Sequence, residues 1–324
     1  MIDAAIVGLG RWGKNFVEAV QGKSDRIRFV RGVDAAPDKL RDFAAKHGFG
    51  LCTDLAAVLA DPAIKAVVLA TPHSLHRPMV EASARAGKQI FCEKPFALNF
   101  ADAAAMVEAC NRAGVVLGVG HNRRFWPSMV ALKRAADSGE LGQLLHIEGH
   151  FSNEHSNNTA GTWRDSPEES PGGGITGAGL HVLDAFLNII GPVKKVRGQL
   201  IVRKAPPVAR DVASVILEFA NGVSGAFTTV RATPLYWRVH VFGDRGSAES
   251  ISENELQMHR SNAQPERIAL APVDSLRIEL EAFADAVDGR AAYPVSAAEV
   301  LRTVATFEAV IKALETGATI EMTG

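Results

Sequence analysis

The sequence has few cysteines, little excess charge and no long apolar run. Cys52, Cys92 and Cys110 are too few for a disulfide framework and lack metal-ligand spacing, so we expect no metal site and a reducing, cytoplasmic setting. No apolar run approaches the ~20 residues of a membrane span, and the first residues lack the basic start of a signal peptide. A formal net charge of −1 excludes a global field that would hold nucleic acid or an anionic membrane.

The chain is long enough for two folded domains. It has 324 residues, of which 47% are hydrophobic and 22% are charged. The first third alternates continuous apolar strands with amphipathic helices, a pattern typical of a doubly wound parallel sheet. Within it, Asn99 and Gly114 are the predicted start and stop of one helix.

Beyond residue 120 the strands cluster, with helices before and after. The last predicted strand ends at Gly243, and about Ser275–Thr316 is expected to be helical. This order predicts an α+β domain on a largely antiparallel, open-faced sheet. The predicted domains are residues 1–120 and 121–324. An uncovered sheet face needs a partner, so we expect self-association.

A glycine motif follows the first apolar strand. Gly8, Gly10 and Gly13 form G-x-G-x-x-G before a helix, and the next strand ends in Asp34. In a dinucleotide cradle the first glycine permits the tight turn and the second lets backbone approach the pyrophosphate. The third allows close packing, and the acid binds ribose hydroxyls. This order predicts a Rossmann nucleotide site; a glycine-rich turn in another α/β unit is the alternative.

The acid at the end of the second strand bears on the cofactor. A carboxylate at Asp34 pairs with a free 2′-hydroxyl and repels a 2′-phosphate, and Ala35 follows it rather than an arginine. We therefore favour NAD over NADP. Arg11, just inside the glycine turn, leaves NADP as the alternative cofactor.

Two further segments are expected at the same sheet edge. Glu93-Lys94-Pro95 follows an apolar strand, so Lys94 is expected beside the nicotinamide, where desolvation and a cationic ring would favour its neutral amine for proton transfer. A solvated surface lysine is the alternative. Thr71-Pro72-His73 closes another strand, with His76 one turn on. Thr71 and His73 are expected to face the nicotinamide ribose, although Pro72 also fits a simple strand-to-helix turn.

The second domain contains further candidates. Gly172–Asp184 is rich in glycine and becomes apolar and helical near His181, which suits a general base or a buried core histidine; Asp184 lies one turn on. Arg123 and Arg124 follow the last strand of the first domain and are expected to bind substrate or to form surface ion pairs. His155, Trp163 and Arg164 lie in a polar segment, where an aromatic face and a cation suit a sugar ring.

Taken together, these motifs resemble the Gfo/Idh/MocA oxidoreductases, which include glucose–fructose oxidoreductase and inositol dehydrogenases. The resemblance covers nearly the whole chain, and Glu93-Lys94-Pro95 is its most specific element. It rests also on the glycine motif, Thr71-Pro72, Arg123-Arg124-Phe125 and the GGG…H segment. It implies a Rossmann domain, a second α/β domain carrying most of the substrate wall, hydride transfer with NAD or NADP, and dimers or tetramers packed through the open sheet.

The resemblance also implies residue roles. By matching motif, Lys94 binds the substrate and helps to move a proton, and His181 abstracts the proton of the hydroxyl being oxidised. The family's common partner of this histidine, an aspartate four residues earlier, is Gly177 here. The alternatives are that His181 works alone, uses Asp184 or uses a carboxylate from Asn153–Glu169, or that this member does not catalyse the usual reaction.

We therefore predict an NAD-dependent dehydrogenase acting on a secondary alcohol of a sugar, polyol or inositol-like substrate. A redox-assisted glycosidase with tightly held NAD and a non-catalytic nucleotide-binding regulator are the alternatives. The predicted cofactor-binding residues are Gly8, Gly10, Arg11, Trp12, Gly13, Asp34, Thr71, Pro72, His73, His76, Glu93 and Lys94. The predicted catalytic residues are Lys94 and His181. The predicted substrate-binding residues are Lys94, Arg123, Arg124, His155, Trp163, Arg164 and His181.

Overall fold

The computed structural model describes residues 1–154, 161–206 and 209–322. Its α-helices are α1 Arg11–Val20, α2 Arg41–His47, α3 Leu55–Ala60, α4 His76–Arg85, α5 Phe100–Ala113, α6 Pro127–Asp137, α7 Leu180–Ile189, α8 Ser275–Val287 and α9 Ala297–Thr316. Its strands are β1 Ile2–Val7, β2 Ile27–Val33, β3 Gly50–Cys52, β4 Ala66–Leu69, β5 Gln89–Glu93, β6 Leu117–Gly120, β7 Leu144–Ser152, β8 Val193–Lys204, β9 Arg210–Phe219, β10 Ser224–Val230, β11 Tyr236–Gly243, β12 Gly246–Ser252, β13 Glu255–Arg260, β14 Glu266–Ala269 and β15 Ile320–Glu321. Among the helices so described, none is both long and apolar enough to cross a membrane.

The chain divides into two units. The first contains Met1–Asn122 and Asp274–Leu301, and the second contains Arg123–Val273 and Arg302–Gly324. The sequence analysis assigned 274–301 to the second domain, so the structure differs at this segment. The physical reason is a long-range contact: the fully buried ring of Phe283 on α8 packs edge-on against Phe91 on β5, with 5.7 Å between ring centroids.

The first unit is built on a six-stranded sheet in the order β3-β2-β1-β4-β5-β6, and every strand pair in it is parallel. This is the strand order of a dinucleotide-binding doubly wound fold, and it confirms the predicted fold class. Helix α8 packs on α1 and on β2 and β5, while α4 and α5 pack together. The predicted caps of α5 are present: Asn99 accepts from the Asp102 amide at 2.8 Å, and Gly114 has a φ of 65°.

The second unit is built on a nine-stranded sheet in the order β14-β13-β12-β11-β7-β10-β9-β8-β15. Only the β7–β10 pair is parallel within these described strands, so the prediction of a largely antiparallel sheet is confirmed. Strands β12 to β15, and β3 in the first unit, were not predicted. Each is short or carries polar residues where a regular alternation would carry apolar ones.

The two faces of the larger sheet differ in burial. Along β9 buried residues alternate with more exposed ones, and the buried series faces the helices: Gly198 lies against Leu314 of α9, and Gly149 lies against Val182 of α7. The opposite face carries Ile201, Ile216 and Tyr236, whose side chains are all exposed. An apolar, exposed sheet face of this kind is typical of an interaction surface.

Candidate active site

The glycine motif forms a tight turn between β1 and α1. Gly8 has a φ of 88°, and a Cβ on it would lie 2.7 Å from the carbonyl oxygen of Ala70. A Cβ on Gly13 would lie only 1.9 Å from the Gly8 carbonyl oxygen, whereas a Cβ on Gly10 would meet no atom within 4 Å. The first and third glycines therefore permit the turn and the packing, and the second faces open space. Gly10 is also the N-cap of α1 and gives it no side-chain cap, so the helix N-terminus presents backbone amides that suit a phosphate group.

Asp34 is fixed directly beside this turn. Its Oδ2 accepts from the Leu9 amide at 2.8 Å, and its Oδ1 accepts from the Ala36 amide at 2.9 Å. The Gly8 amide donates to the Val33 carbonyl at 2.8 Å, which joins the turn to the end of β2. Each carboxylate oxygen has a second lone pair, so the fixed group can still accept from ribose hydroxyls. These features of the first unit fit an adenine dinucleotide.

The segment after β4 borders the glycine turn. Thr71 is buried, its hydroxyl lies 3.7 Å from Met79 Sδ, and its methyl group would be 3.1 Å from a Cβ on Gly8. Pro72 precedes a 3₁₀ turn over His73–Leu75, so the predicted strand-to-helix turn is present. His73 is buried within it. Of the other predicted contacts, Arg11 is exposed, and Trp12 is half-buried with its ring centroid 6.5 Å from that of Phe16.

The Glu93-Lys94-Pro95 segment leaves β5 at the same edge of the parallel sheet. Glu93 is buried, and its Oε2 accepts from the Lys94 amide at 3.0 Å. The Lys94–Pro95 peptide bond is cis, and Lys94 is half-buried. His76 fixes the far side of the segment, because its Nδ1 donates to the carbonyl oxygens of Pro95 at 2.9 Å and Phe96 at 3.2 Å. Sequence reasoning assigned His76 to the cofactor and missed this contact, which no local spacing signals.

In the second unit, Arg123 lies among three aromatic rings. Its guanidinium carbon is 4.2 Å from the Trp126 ring centroid, 3.9 Å from that of Phe151 and 4.3 Å from that of Trp237. Burial lowers the pKa of this guanidinium to about 9. Stacking of a cation on aromatic faces is stabilising when the groups are desolvated. Sequence reasoning missed Trp126 and Phe151 as contacts of this arginine, because they come from separate elements.

His181 is the second residue of α7 and is 5% exposed. Its ring lies 5.9 Å from that of Phe151, centroid to centroid, so the structure brings His181 and Arg123 to the same aromatic side chain. A π-helical turn, Ile175–Gly179, leads into α7. Such turns are frequent at functional sites. A Cβ on Gly177 would meet no atom within 4 Å, so this position has room for a side chain.

The glycine-rich segment before this turn is anchored on β9. The Gly174 amide donates to Asp211 Oδ1 at 2.9 Å, and Arg231 pairs with Asp211 Oδ2 at 2.7 Å. A Cβ on Gly173 would lie 2.6 Å from the same carboxylate. Backbone can approach the buried Asp211 this closely only because position 173 has no side chain.

Arg124 and Asp184 form a buried ion pair. The Arg124 Nη2 and Nε atoms donate to the two Asp184 oxygens at 2.7 and 3.0 Å, and the side chains are only 7% and 4% exposed. Trp163 and Arg164 pack on each other, with 4.2 Å from the guanidinium carbon to the ring centroid. His155 lies outside the described residues.

No group of three or more His, Cys, Asp or Glu residues in the described part of the chain is arranged to hold a metal ion.

A shallow surface groove of about 490 Å³ lies along α6, lined by Arg124, Met129, Val130, Lys133, Arg134, Asp137, Ser138 and Asn188. Most of the predicted site residues, including the glycine turn, Lys94 and His181, lie elsewhere.

The strand order, the glycine turn and the anchored Asp34 define a dinucleotide-binding domain. Residues 2–121 match the family model described as the oxidoreductase family with an NAD-binding Rossmann fold, and residues 129–249 match the GFO/IDH/MocA C-terminal domain. The chain therefore belongs to the Gfo/Idh/MocA oxidoreductase family.

Named relatives agree with this membership. The chain is 30% identical over 277 residues to a D-apiose dehydrogenase of Paraburkholderia graminis, covering 83% of this chain and 72% of that protein. It is 31% identical over 258 residues to a scyllo-inositol 2-dehydrogenase (NAD(+)) of Bacillus subtilis, covering 76% and 72%. A crystal structure from Desulfitobacterium hafniense, titled as an NADPH-dependent oxidoreductase, is 26% identical with a TM-score of 0.89, covering 99% of this chain and 97% of that chain.

Proposed function

We propose that this protein is an NAD-dependent dehydrogenase that oxidises a secondary hydroxyl of a sugar, polyol or inositol-like substrate. One observation carries the proposal: the Asp34-anchored glycine turn and the Glu93-Lys94-Pro95 segment leave one edge of the same parallel sheet. Ligands of doubly wound sheets bind beyond this edge. Relatives named as apiose and inositol dehydrogenases support the substrate class.

The choice of NAD rests on Asp34. Two backbone amides fix its carboxylate, so its charge cannot swing away from a 2′-phosphate. The next two residues, Ala35 and Ala36, are exposed and uncharged, and neither can pair with a phosphate. One structural relative is described as an NADPH-dependent oxidoreductase, so the choice between NAD and NADP is the feature that most needs a direct test.

Lys94 and His181 are the proposed catalytic residues. The nicotinamide, when bound, supplies the hydride acceptor. Lys94 binds the reacting hydroxyl oxygen, and contacts from Glu93 and His76 fix the backbone that carries it. His181 accepts the hydroxyl proton, and in the reverse direction it returns that proton to the oxygen. Burial of His181 excludes bulk water from the proton transfer.

Arg123, Arg124, Trp163 and Arg164, together with His155, remain the proposed substrate contacts. The buried pair with Asp184 limits how far Arg124 can move toward a ligand, so we rank it below Arg123.

We also propose a homodimer or homotetramer that packs through the exposed face of the nine-stranded sheet, on the strength of the exposed Ile201, Ile216 and Tyr236. The described cysteines are free thiols, which suits a reducing compartment, and we propose the cytoplasm.

A substrate screen tests the function. NADH absorbance is followed on a panel of sugars, polyols and cyclitols with NAD and with NADP. Once a substrate is found, Lys94→Ala and His181→Asn are each expected to lower kcat by at least about 100-fold while NAD binding survives. Lys39→Ala, at an exposed position, serves as the control for loss of a surface charge. NAD binding without turnover on the whole panel, or wild-type turnover in Lys94→Ala, would contradict the proposal.

A further inference from the structure

A second buried carboxyl group lies behind the Glu93-Lys94-Pro95 segment. Helix α8 packs on β5, and its Phe283 contacts Phe91 with 5.7 Å between ring centroids. Glu279 is one helical turn before Phe283, and Glu93 is two residues after Phe91 on the same face of the strand. Helix α8 runs antiparallel to β5, because the Asn122 side-chain amide just beyond β6 donates to the Ser275 hydroxyl at the helix start at 3.3 Å, and Asp285 near the helix end pairs with Arg26 just before β2. This direction and the Phe283–Phe91 contact place Glu279 over Glu93.

Two glycines on the neighbouring strand leave room for the side chains of Glu93, Phe91 and Phe283. On β6, Gly118 pairs with Phe91 and Gly120 pairs with Glu93. A Cβ on Gly118 would lie 3.0 Å from the rings of both Phe91 and Phe283, and a Cβ on Gly120 would lie 3.0 Å from Glu93 Oε1. A side chain at Gly118 would therefore press on the two phenylalanine rings, and one at Gly120 would press on the Glu93 carboxylate.

Glu279 is 0% exposed, and neither of its carboxyl oxygens accepts a hydrogen bond from any residue that the structure describes. An isolated buried carboxylate is strongly disfavoured, so such a group takes up a proton instead. Burial, and then the charge of Glu93, raise the pKa of Glu279 well above its usual value. The other groups nearby do not offset this: burial keeps the Cys92 thiol neutral by raising its pKa, and Asp285 on α8 is paired with Arg26 and Arg290.

We infer that Glu279 is a neutral carboxylic acid that serves as a positioning residue for Lys94. Its proton makes it a hydrogen-bond donor toward the Glu93 carboxylate. Glu93 in turn accepts from the Lys94 amide and so sets the direction in which the chain leaves β5. The inference rests on the proposed catalytic role of Lys94.

Infrared difference spectroscopy tests the protonation state without any substrate. The wild type minus Glu279→Gln difference spectrum at neutral pH is expected to contain the C=O band of a protonated carboxyl group. Glu281→Gln, two residues along the same helix and half-buried, is the matched control and is expected to lack this band. A wild type minus Glu279→Gln difference spectrum without this band overturns the inference.

Kinetics tests the positioning role. Glu279→Met keeps the side-chain size and removes the donor, so kcat is expected to fall by about 10- to 100-fold with an unchanged KM for NAD. Glu279→Gln keeps a donor and is expected to retain most of the turnover. The urea midpoints of Glu279→Met and Glu279→Gln are measured beside kcat, because removing one partner of a buried hydrogen bond can also lower the free energy of unfolding. Wild-type turnover in Glu279→Met, or losses of activity that follow losses of stability in both variants, overturn the positioning role.

The two proposals fail separately. If Lys94→Ala keeps wild-type turnover, the proposed catalytic role fails and the positioning role of Glu279 falls with it, although the infrared band remains. If Lys94→Ala is inactive while Glu279→Met is fully active, only the inference about Glu279 fails.

Discussion

Asp34→Asn is the most informative single change, because it separates the charge of the proposed cofactor-binding acid from its shape. The carboxylate accepts from the Leu9 and Ala36 amides at 2.8 and 2.9 Å, one on each oxygen. Asparagine has a single carbonyl oxygen, so it can keep only one of these contacts. Both the orientation of the group and its negative charge are therefore weakened.

The magnitude follows from the hydrogen bonds at stake. A hydrogen bond to a charged group contributes about 1.5–3 kcal/mol. If the variant loses one such bond to a ribose hydroxyl, NAD affinity should fall by about 10- to 150-fold. NADP affinity should rise, because the like-charge repulsion of a 2′-phosphate disappears. The preference for NAD over NADP is thus expected to shrink by at least about 10-fold.

The assay is titration of each cofactor by calorimetry, together with kcat/KM for both once a substrate is known. Asp38→Asn is the control: Asp38 is exposed, four residues further on, and paired only with Arg41 at the surface, so the cofactor preference should not change. Unchanged NAD affinity in Asp34→Asn would refute the reasoning, and so would a wild-type protein that prefers NADP.

Three other changes give sharp outcomes. Asp184→Ala removes the carboxylate from the buried Arg124 and should lower the free energy of unfolding by about 3–5 kcal/mol in urea titration. The double variant Arg124→Met with Asp184→Leu should recover most of this loss. A loss under about 1 kcal/mol in Asp184→Ala contradicts the expectation. Gly177→Asp puts a carboxylate in open space one turn before His181, where it favours the protonated imidazole. Because a general base must be neutral, the limb of the kcat/KM–pH profile that reports His181 should move to higher pH relative to Gly177→Asn. Coincident profiles for the two variants count against His181 as the base. Ile216→Arg places a charge on the exposed face of β9, where Ile216 is 61% exposed, and should yield monomers in analytical ultracentrifugation, whereas an unchanged oligomer places the interface elsewhere.

Local patterns made the first unit predictable. The strand–glycine turn–helix order and the acid at the end of β2 lie within about 30 residues, and the physical reason for each glycine can be stated from backbone geometry alone. In the structure, Gly8 and Gly13 lie at the close contacts of this turn, and Asp34 accepts from the Leu9 amide beside it. In contrast, the return of α8 to the first unit depends on Phe283 meeting Phe91, which are far apart in sequence.

The second sheet shows why alternation alone missed strands. Strand β12 buries Glu249 and Ser250, so its sequence lacks an apolar series. Ser250 is tolerated there because its hydroxyl accepts from the Trp237 indole at 3.0 Å and lies 2.9 Å from the Ser128 hydroxyl. Buried polar groups with such partners keep a strand in the core, but the partners come from β11 and α6 and cannot be read from β12 itself.

The same distinction applies to Lys94, the proposed catalytic lysine. The sequence motif located Lys94, but the groups that fix its backbone come from three elements: Glu93 from β5, His76 from α4 and, by our inference, Glu279 from α8. A lysine on a mobile loop would lose entropy each time it bound a hydroxyl, whereas a backbone fixed from several sides has already lost that freedom on folding. Sensitivity of turnover to substitution should therefore extend to His76 and Glu279 even though neither needs to touch the substrate.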